Sequence, residues 1–122
     1  LNLLIILLIF LPMKTLTRST YREFLKEKLS TDAKWAIQAM VRVFEYQTAT
    51  EQSREYTKDR NGVGYTPADA RLLASFTKQW ESKHFLSEKQ IFHIKKRMPK
   101  YWRQVLEISD LKKLHSVMGV AA

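Results

Sequence analysis

The spacing of the apolar residues constrains the fold of this 122-residue chain more than any other feature. Beyond residue 12, apolar side chains recur every three or four positions, which is the period of an amphipathic helix. Two such stripes are Ile37, Met40, Val41 and Phe44, and Leu72, Leu73, Phe76 and Trp80. Three glycines and three prolines supply few of the turns that a β-sandwich or barrel needs. The sequence therefore predicts an all-α fold.

Capping and helix-breaking residues divide this pattern into a small bundle of four to five helices, with breaks near residues 59–66, 84–87 and 98–99. After the first break we expect Thr66 to cap a helix, Pro67 to occupy its first position and Asp69 to close a capping box. A second capping box is expected at Ser87. Pro99 costs a continuing helix about 3 kcal/mol, so it either kinks one long helix or begins a fifth.

Residues 1–12, LNLLIILLIFLP, are strongly apolar but shorter than the roughly 20 residues of a membrane-spanning helix. They also lack the basic start and the small residues before cleavage of a secretory signal. Because Met13 and Lys14 offer a start, we expect residues 1–12 to be upstream sequence outside a single helical domain of residues 13–122. The alternatives are a truncated signal or interfacial anchor, and a docked apolar helix that covers a dimer surface.

The charge balance favours an anionic partner. The chain carries 21 Lys and Arg against 12 Asp and Glu, a net charge of +9. Such an excess attracts nucleic acid, an acidic protein or a membrane surface. The absence of cysteine excludes a disulfide, a thiolate zinc site and a cysteine nucleophile. It also fits a reducing compartment, and we expect a cytoplasmic protein.

Six cations and no acidic residue lie between residues 89 and 103, called here the basic segment. Such rows neutralise phosphates, and we expect DNA rather than RNA as the partner. A helix that continued past Pro99 would bring cations from both sides of the proline onto one face with His93. Tyr101 or Trp102 either stacks on unpaired bases or packs beneath; the alternative is a solvated basic face. The residues predicted to contact nucleic acid are Lys89, Gln90, His93, Lys95, Lys96, Arg97, Lys100 and Arg103.

Residues 76–97 also have a helix–turn–helix form, with residues 84–86 as the connector. In DNA-binding proteins of this kind the start of the second helix contacts bases. That interpretation would place Glu88, Lys89 and Gln90 near bases. The glycine that is common in such turns is absent, and any helical bundle contains short turns.

No pattern in the sequence indicates catalysis. The histidines His84, His93 and His115 have no ligand partner at helical spacing, so we expect neither a metal site nor a cofactor. No serine lies in a nucleophile elbow. The segment Asn61-Gly62-Val63-Gly64 lacks the phosphate-loop pattern. We therefore expect a protein that is not an enzyme and has no small-molecule substrate.

Four short motifs lie between residues 61 and 108: an N-G-V-G-[FY] turn, a D-A pair, an L-[ST]-x-K-Q and a K-Y-x-x-Q-L ending. The matching residues are Asn61 to Tyr65, Asp69-Ala70, Leu86-Ser87 with Lys89-Gln90, and Lys100-Tyr101 with Gln104, while Val105 replaces the last leucine. In these motifs the chain resembles a small helical module of bacteriophage and other mobile-element proteins. The resemblance implies an accessory role in DNA processing, since no helicase motif is present.

The leading interpretation is therefore a small basic nucleic-acid-binding or accessory protein of a mobile element. Two other functions stay open on the sequence. One is a helical protein–protein interaction module, an adaptor or inhibitor that binds an acidic partner. The other is a homodimeric bundle.

Overall fold

The computed structural model of the protein describes residues 16–53 and 64–119. These residues form six α-helices and no strand, which confirms the predicted all-α fold. The predicted leader, residues 1–12, and most of the first predicted break lie outside the described residues. The helices are α1 (Arg18–Thr31), α2 (Ala33–Ser53), α3 (Pro67–Lys83), α4 (Glu88–Arg97), α5 (Trp102–Ile108) and α6 (Leu111–Met118), with a 3-10 turn (Met98–Tyr101) between α4 and α5.

Polar side chains cap the starts of most helices, including α1, α4 and α6. Thr17 caps α1 and accepts a hydrogen bond from the Thr20 amide. Ser87 caps α4 in a capping box closed by Gln90, as its sequence predicts. Asp110 caps α6 by accepting from two amides of the first turn. Each cap satisfies amides that have no partner inside the helix, and so the sequence fixes where these helices begin.

The core is built around α2, which packs against α1, α3, α4 and α5. Each neighbour presents apolar side chains to it, because every helix carries an apolar stripe. Burying one such side chain contributes about 1.5–3 kcal/mol. The largest fully buried apolar residues are Leu25, Leu29, Met40, Val43, Leu73, Ile94 and Met98. None of the described helices is long and apolar enough to cross a membrane.

Pro99 lies inside the 3-10 turn, and α5 begins three residues later. The predicted helix break near residues 98–99 is therefore confirmed, although the next α-helix begins at Trp102 and not at Pro99 itself. Proline has no amide hydrogen to continue the α-helical ladder, and a 3-10 turn connects the two helices instead. The buried residues Met98 and Tyr101 anchor the turn in the core. Because α-helical spacing stops here, the cations on the two sides of the proline do not continue one α-helical face.

The turn before α3 is held by two glutamine side chains. Gly64 adopts a positive φ of 95°, which favours glycine. Its amide donates to Gln104 Oε1 (2.7 Å), and Gln104 Nε2 donates back to its carbonyl oxygen (2.9 Å). The Tyr65 amide donates to Gln47 Oε1 (3.0 Å), and the Tyr65 hydroxyl donates to the Met40 carbonyl oxygen. The turn thereby connects α3 to both α2 and α5.

Candidate nucleic-acid interface

A buried carboxylate from α3 lies against the basic segment. Asp69 is only 4% exposed, and its Oδ2 lies 2.5 Å from Lys100 Nζ. Its Oδ1 lies 3.4 Å from Arg97 Nε. The basic segment contains no acid of its own, but the fold supplies this one. Two of the six cations are therefore paired, and together with Asp69 they carry a net charge of +1.

Asp69 also accepts a 2.5 Å hydrogen bond from the Tyr101 hydroxyl, which in turn accepts from the Thr66 amide (3.1 Å). Burial by itself raises the pKa of Asp69. The hydrogen bonds from Lys100 and Tyr101 and the charges of Lys100 and Arg97 outweigh it, so that the pKa lies below its ordinary value. Burial and the hydrogen bond to Asp69 raise the pKa of Tyr101. The site thus holds an ionised carboxylate beside a neutral phenol.

This arrangement overturns the capping box predicted for α3. Thr66 is the N-cap residue and Pro67 follows it, as predicted, but the Thr66 side chain makes no capping hydrogen bond. The Asp69 carboxylate is directed to the 3-10 turn instead of to the backbone of Thr66. In this position the carboxylate makes charge-assisted contacts with an ammonium group, a phenol and a guanidinium group, whereas the capping box would give it one amide.

The two aromatic residues for which the sequence predicts a role in the basic segment, Tyr101 and Trp102, are buried. Tyr101 is 4% and Trp102 is 7% exposed, so neither ring has a face open to a base. The guanidinium carbons of Arg18 and Arg103 lie 5.9 and 5.7 Å from the Trp102 ring centroid, within cation–π range. Of the two expected roles, stacking on bases does not fit this burial, and packing beneath the basic residues does. The fold also brings Arg18, from α1, against the same indole ring as Arg103.

The side-chain amide of Gln90 forms its hydrogen bonds within the protein. Gln90 Oε1 accepts from the Ser87 amide (2.8 Å) and from Gln79 Nε2 (3.0 Å), and Gln90 Nε2 donates to Gln79 Oε1 (2.9 Å). These bonds hold the connector between α3 and α4, in which His84 adopts a positive φ of 51°. The prediction that Gln90 contacts nucleic acid, either along the backbone or at the start of a recognition helix, does not fit this geometry.

The His93 side chain forms a hydrogen-bond contact with the guanidinium group of Arg97. Its Nδ1 lies 3.0 Å from Arg97 Nη1, one helical turn away. The imidazole is half-buried, and its ring meets the Phe92 ring edge-on, with 5.6 Å between centroids. His93 therefore helps to hold Arg97 toward Asp69, while its second ring nitrogen forms no hydrogen bond with the described residues.

Four cations of the basic segment form no ion pair with any carboxylate in the described part of the chain: Lys89, Lys95, Lys96 and Arg103. Three of them lie on α4, and Lys89 and Lys96 are exposed on it. Phe92 lies between these two and is 60% exposed. Phe92 is not among the residues that the sequence pattern predicts for the interface. It could have been found, since Phe92 lies more than a quarter of a turn away from the apolar stripe of Ile91 and Ile94.

The residues that carry the resemblance contact one another. Gly64 of the first motif binds Gln104 of the last through two hydrogen bonds. Asp69 of the D-A pair binds Lys100 and Tyr101 of the K-Y pair. In this chain the motif residues therefore hold α3, the 3-10 turn and α5 together, and the polar groups of the K-Y pair face the protein.

A second surface feature is a cleft of about 370 Å³ between α2 and the last two helices. Its lining combines the Trp35 ring and Val117 with the cations Arg42 and Lys113. Arg42 Nη2 donates to the Ile108 carbonyl oxygen (2.9 Å) at the end of α5. Val117 is 49% exposed. The cleft thus offers apolar surface bordered by two cations and by the carboxylate of Asp110, a border with a net positive charge.

In residues 16–53 and 64–119 no group of three or more His, Asp and Glu side chains could hold a metal ion. Comparisons with protein-family models, with curated proteins and with solved structures found no match to this chain.

Proposed function

We propose that this protein binds the phosphate backbone of nucleic acid, DNA in preference to RNA, through the unpaired cations of the basic segment. In this proposal it is a cytoplasmic accessory protein of a mobile element that binds and does not catalyse. The observation that carries the proposal is the set of four cations within fifteen residues that lack a carboxylate partner in the described chain. A protein that neutralises phosphates needs cations in that state.

The pairing of Arg97 and Lys100 with Asp69 refines which residues do the binding. A cation that is already paired gains less from a phosphate, because it must share its charge between two anions. We therefore assign the principal phosphate contacts to Lys89, Lys95 and Lys96 on α4. Arg103, with the Trp102 ring beneath it, adds a further contact.

A matched pair of triple variants tests this proposal. One replaces Lys89, Lys95 and Lys96 by alanine. The control replaces Lys26, Lys34 and Lys78 by alanine, which removes the same charge from exposed positions on α1, α2 and α3 that form no ion pair with another described residue. Fluorescence anisotropy with labelled DNA and RNA strands of one sequence gives the affinities.

We expect the α4 variant to bind DNA at least about tenfold more weakly than the wild type, since three phosphate contacts are lost. The control should change the affinity by much less. Equal losses in the two variants would mean that net charge alone, and not the basic segment, attracts the nucleic acid. Absence of binding by the wild type would refute the proposal.

The cleft beside α6 favours a second candidate function, an interaction module for an acidic protein. Its apolar lining and the cations Arg42 and Lys113 suit a helix or loop that carries carboxylates. Capture of a protein partner that survives nuclease treatment and is lost in Lys113→Glu, with no binding to DNA, would favour this candidate over the first.

A further inference from the structure

The exposed side of α4 presents an aromatic ring between two lysines. Lys89, Phe92 and Lys96 are all exposed, and we call them the Lys–Phe–Lys face. Helical spacing places Phe92 about 60° of rotation from Lys89 and about 40° from Lys96, so that the three side chains point in one direction. Along the helix axis the ring lies about 4.5 Å from the first lysine and about 6 Å from the second.

The only acidic residue on this side of the helix lies on the other flank of the ring. Glu88 is exposed and precedes Phe92 by one turn, rotated by about 40° away from the lysines. A phosphate chain is attracted to the lysine flank and repelled from Glu88. The Lys–Phe–Lys face is therefore positively charged on one side of the Phe92 ring, and we expect the nucleic-acid backbone to run along that side.

The span of the face fits a short stretch of one strand. Lys89 and Lys96 are about 10.5 Å apart along the axis, a distance that a few nucleotides of an unstacked strand can span. One base between the two contacted phosphates would then lie above Phe92. Every base has a flat π-face, so such stacking does not depend on the sequence.

Stacking on Phe92 requires a base whose face is open. In a duplex each base is covered by its neighbours, and a ring can contact a base face only after the step is unstacked. In a single strand the base can turn onto the ring without that loss. Because Tyr101 and Trp102 are buried, Phe92 is the aromatic residue of the basic segment that is available for this contact.

We infer that the Lys–Phe–Lys face binds single-stranded nucleic acid, with the phosphates held by Lys89 and Lys96 and an unpaired base stacked on Phe92. The inference rests on the proposed function and names its substrate class. It adds an aromatic contact that the charge of the basic segment does not require.

Phe92→Leu tests the inference, because leucine keeps the apolar character of the side chain but not the flat ring. Phe92→Tyr restores a ring, and Tyr46→Leu is the control, since Tyr46 is an exposed aromatic residue (46%) on α2. Each protein is titrated with oligothymidylate and with a blunt duplex of equal phosphate number at one salt concentration. Thermal unfolding checks that all variants fold alike.

For Phe92→Leu we expect an affinity for the single strand about tenfold below that of the wild type and an unchanged affinity for the duplex. Phe92→Tyr and Tyr46→Leu should bind both as the wild type does. Glu88→Gln should tighten binding of the single strand by about threefold, since it removes a repulsive charge.

The outcomes separate this inference from the proposed function. A wild type that binds both oligonucleotides, with Phe92→Leu indistinguishable from it, would overturn the stacking role and leave backbone binding intact. An equal loss on both oligonucleotides would overturn the single-strand specificity. A wild type that binds neither would overturn both proposals.

Discussion

The Tyr101 hydroxyl donates a 2.5 Å hydrogen bond to the buried carboxylate of Asp69, two residues that are 32 positions apart. This bond ties the 3-10 turn to the first turn of α3. The same carboxylate binds Lys100 and Arg97. These two cations of the basic segment are therefore paired within the protein. The remaining cations are the ones to which we assign nucleic-acid binding.

Replacing Tyr101 by phenylalanine should destabilise the protein by about 1–3 kcal/mol. The variant removes a hydrogen-bond donor from a buried carboxylate and leaves the Thr66 amide without its acceptor. Urea denaturation followed by circular dichroism measures the free energy of unfolding. Tyr46→Phe, at an exposed site, should be neutral. Unchanged stability in Tyr101→Phe would show that the buried bond contributes nothing.

The stability contributed by Asp69 should depend on pH in the acidic range. Its pKa in the folded protein lies below the ordinary value of 3.8, so the unfolded chain takes up a proton first as the pH falls. The contribution is therefore complete above about pH 5 and is lost as the pH falls below about 4. The difference in unfolding free energy between the wild type and Asp69→Asn should be constant near neutrality and should shrink in acid. A constant difference down to pH 2 would contradict this account.

Asp69→Asn should also change the binding of nucleic acid. Without the carboxylate, Lys100 and Arg97 lose their partner, and the basic segment carries six unpaired cations instead of four. We expect tighter binding, with a steeper dependence of affinity on salt by about one unit of slope, because one or two more phosphates are neutralised. Weaker binding by a folded Asp69→Asn protein would contradict the assignment of these two cations to a structural role.

Two glycines with positive φ should respond differently to alanine. At Gly64 (φ 95°) an added Cβ would lie 2.5 Å from Gln47 Oε1, whereas at Gly119 (φ 77°) it would meet nothing within 4 Å. Gly119→Ala should cost about 1 kcal/mol of backbone strain. Gly64→Ala should cost more, because the Gln47 side chain must also move and loosen its hold on Tyr65. Equal losses in thermal unfolding would show that the contact with Gln47 does not matter.

Local patterns in the sequence predicted most of the helices. The spacing of apolar residues located α2 and α3, and Ser87 with Gln90 marked the start of α4 because a capping box needs only four adjacent residues. Contacts between distant residues could not be predicted in the same way. Asp69 was assigned to a local cap, since nothing in its neighbourhood reveals that Lys100 and Tyr101 approach it from another helix.

In the candidate site, too, local patterns could be predicted from the sequence and contacts between distant residues could not. Charge alone located the basic segment, but it could not tell paired cations from unpaired ones. Tyr101 and Trp102 stand among lysines and arginines in the sequence, and only the fold reveals that both rings face the core. Phe92 was the aromatic residue to select, because it departs from the apolar stripe of its own helix.

The salt dependence of DNA binding tests the central claim most directly. Affinities of the wild type and of the variant with Lys89, Lys95 and Lys96 replaced by alanine are measured for one single strand at several salt concentrations. The slope of log affinity against log salt should be smaller in the variant by about 2, since each lost contact with a single-strand phosphate removes about 0.7. Identical slopes in the two proteins would contradict the assignment of phosphate binding to this helix.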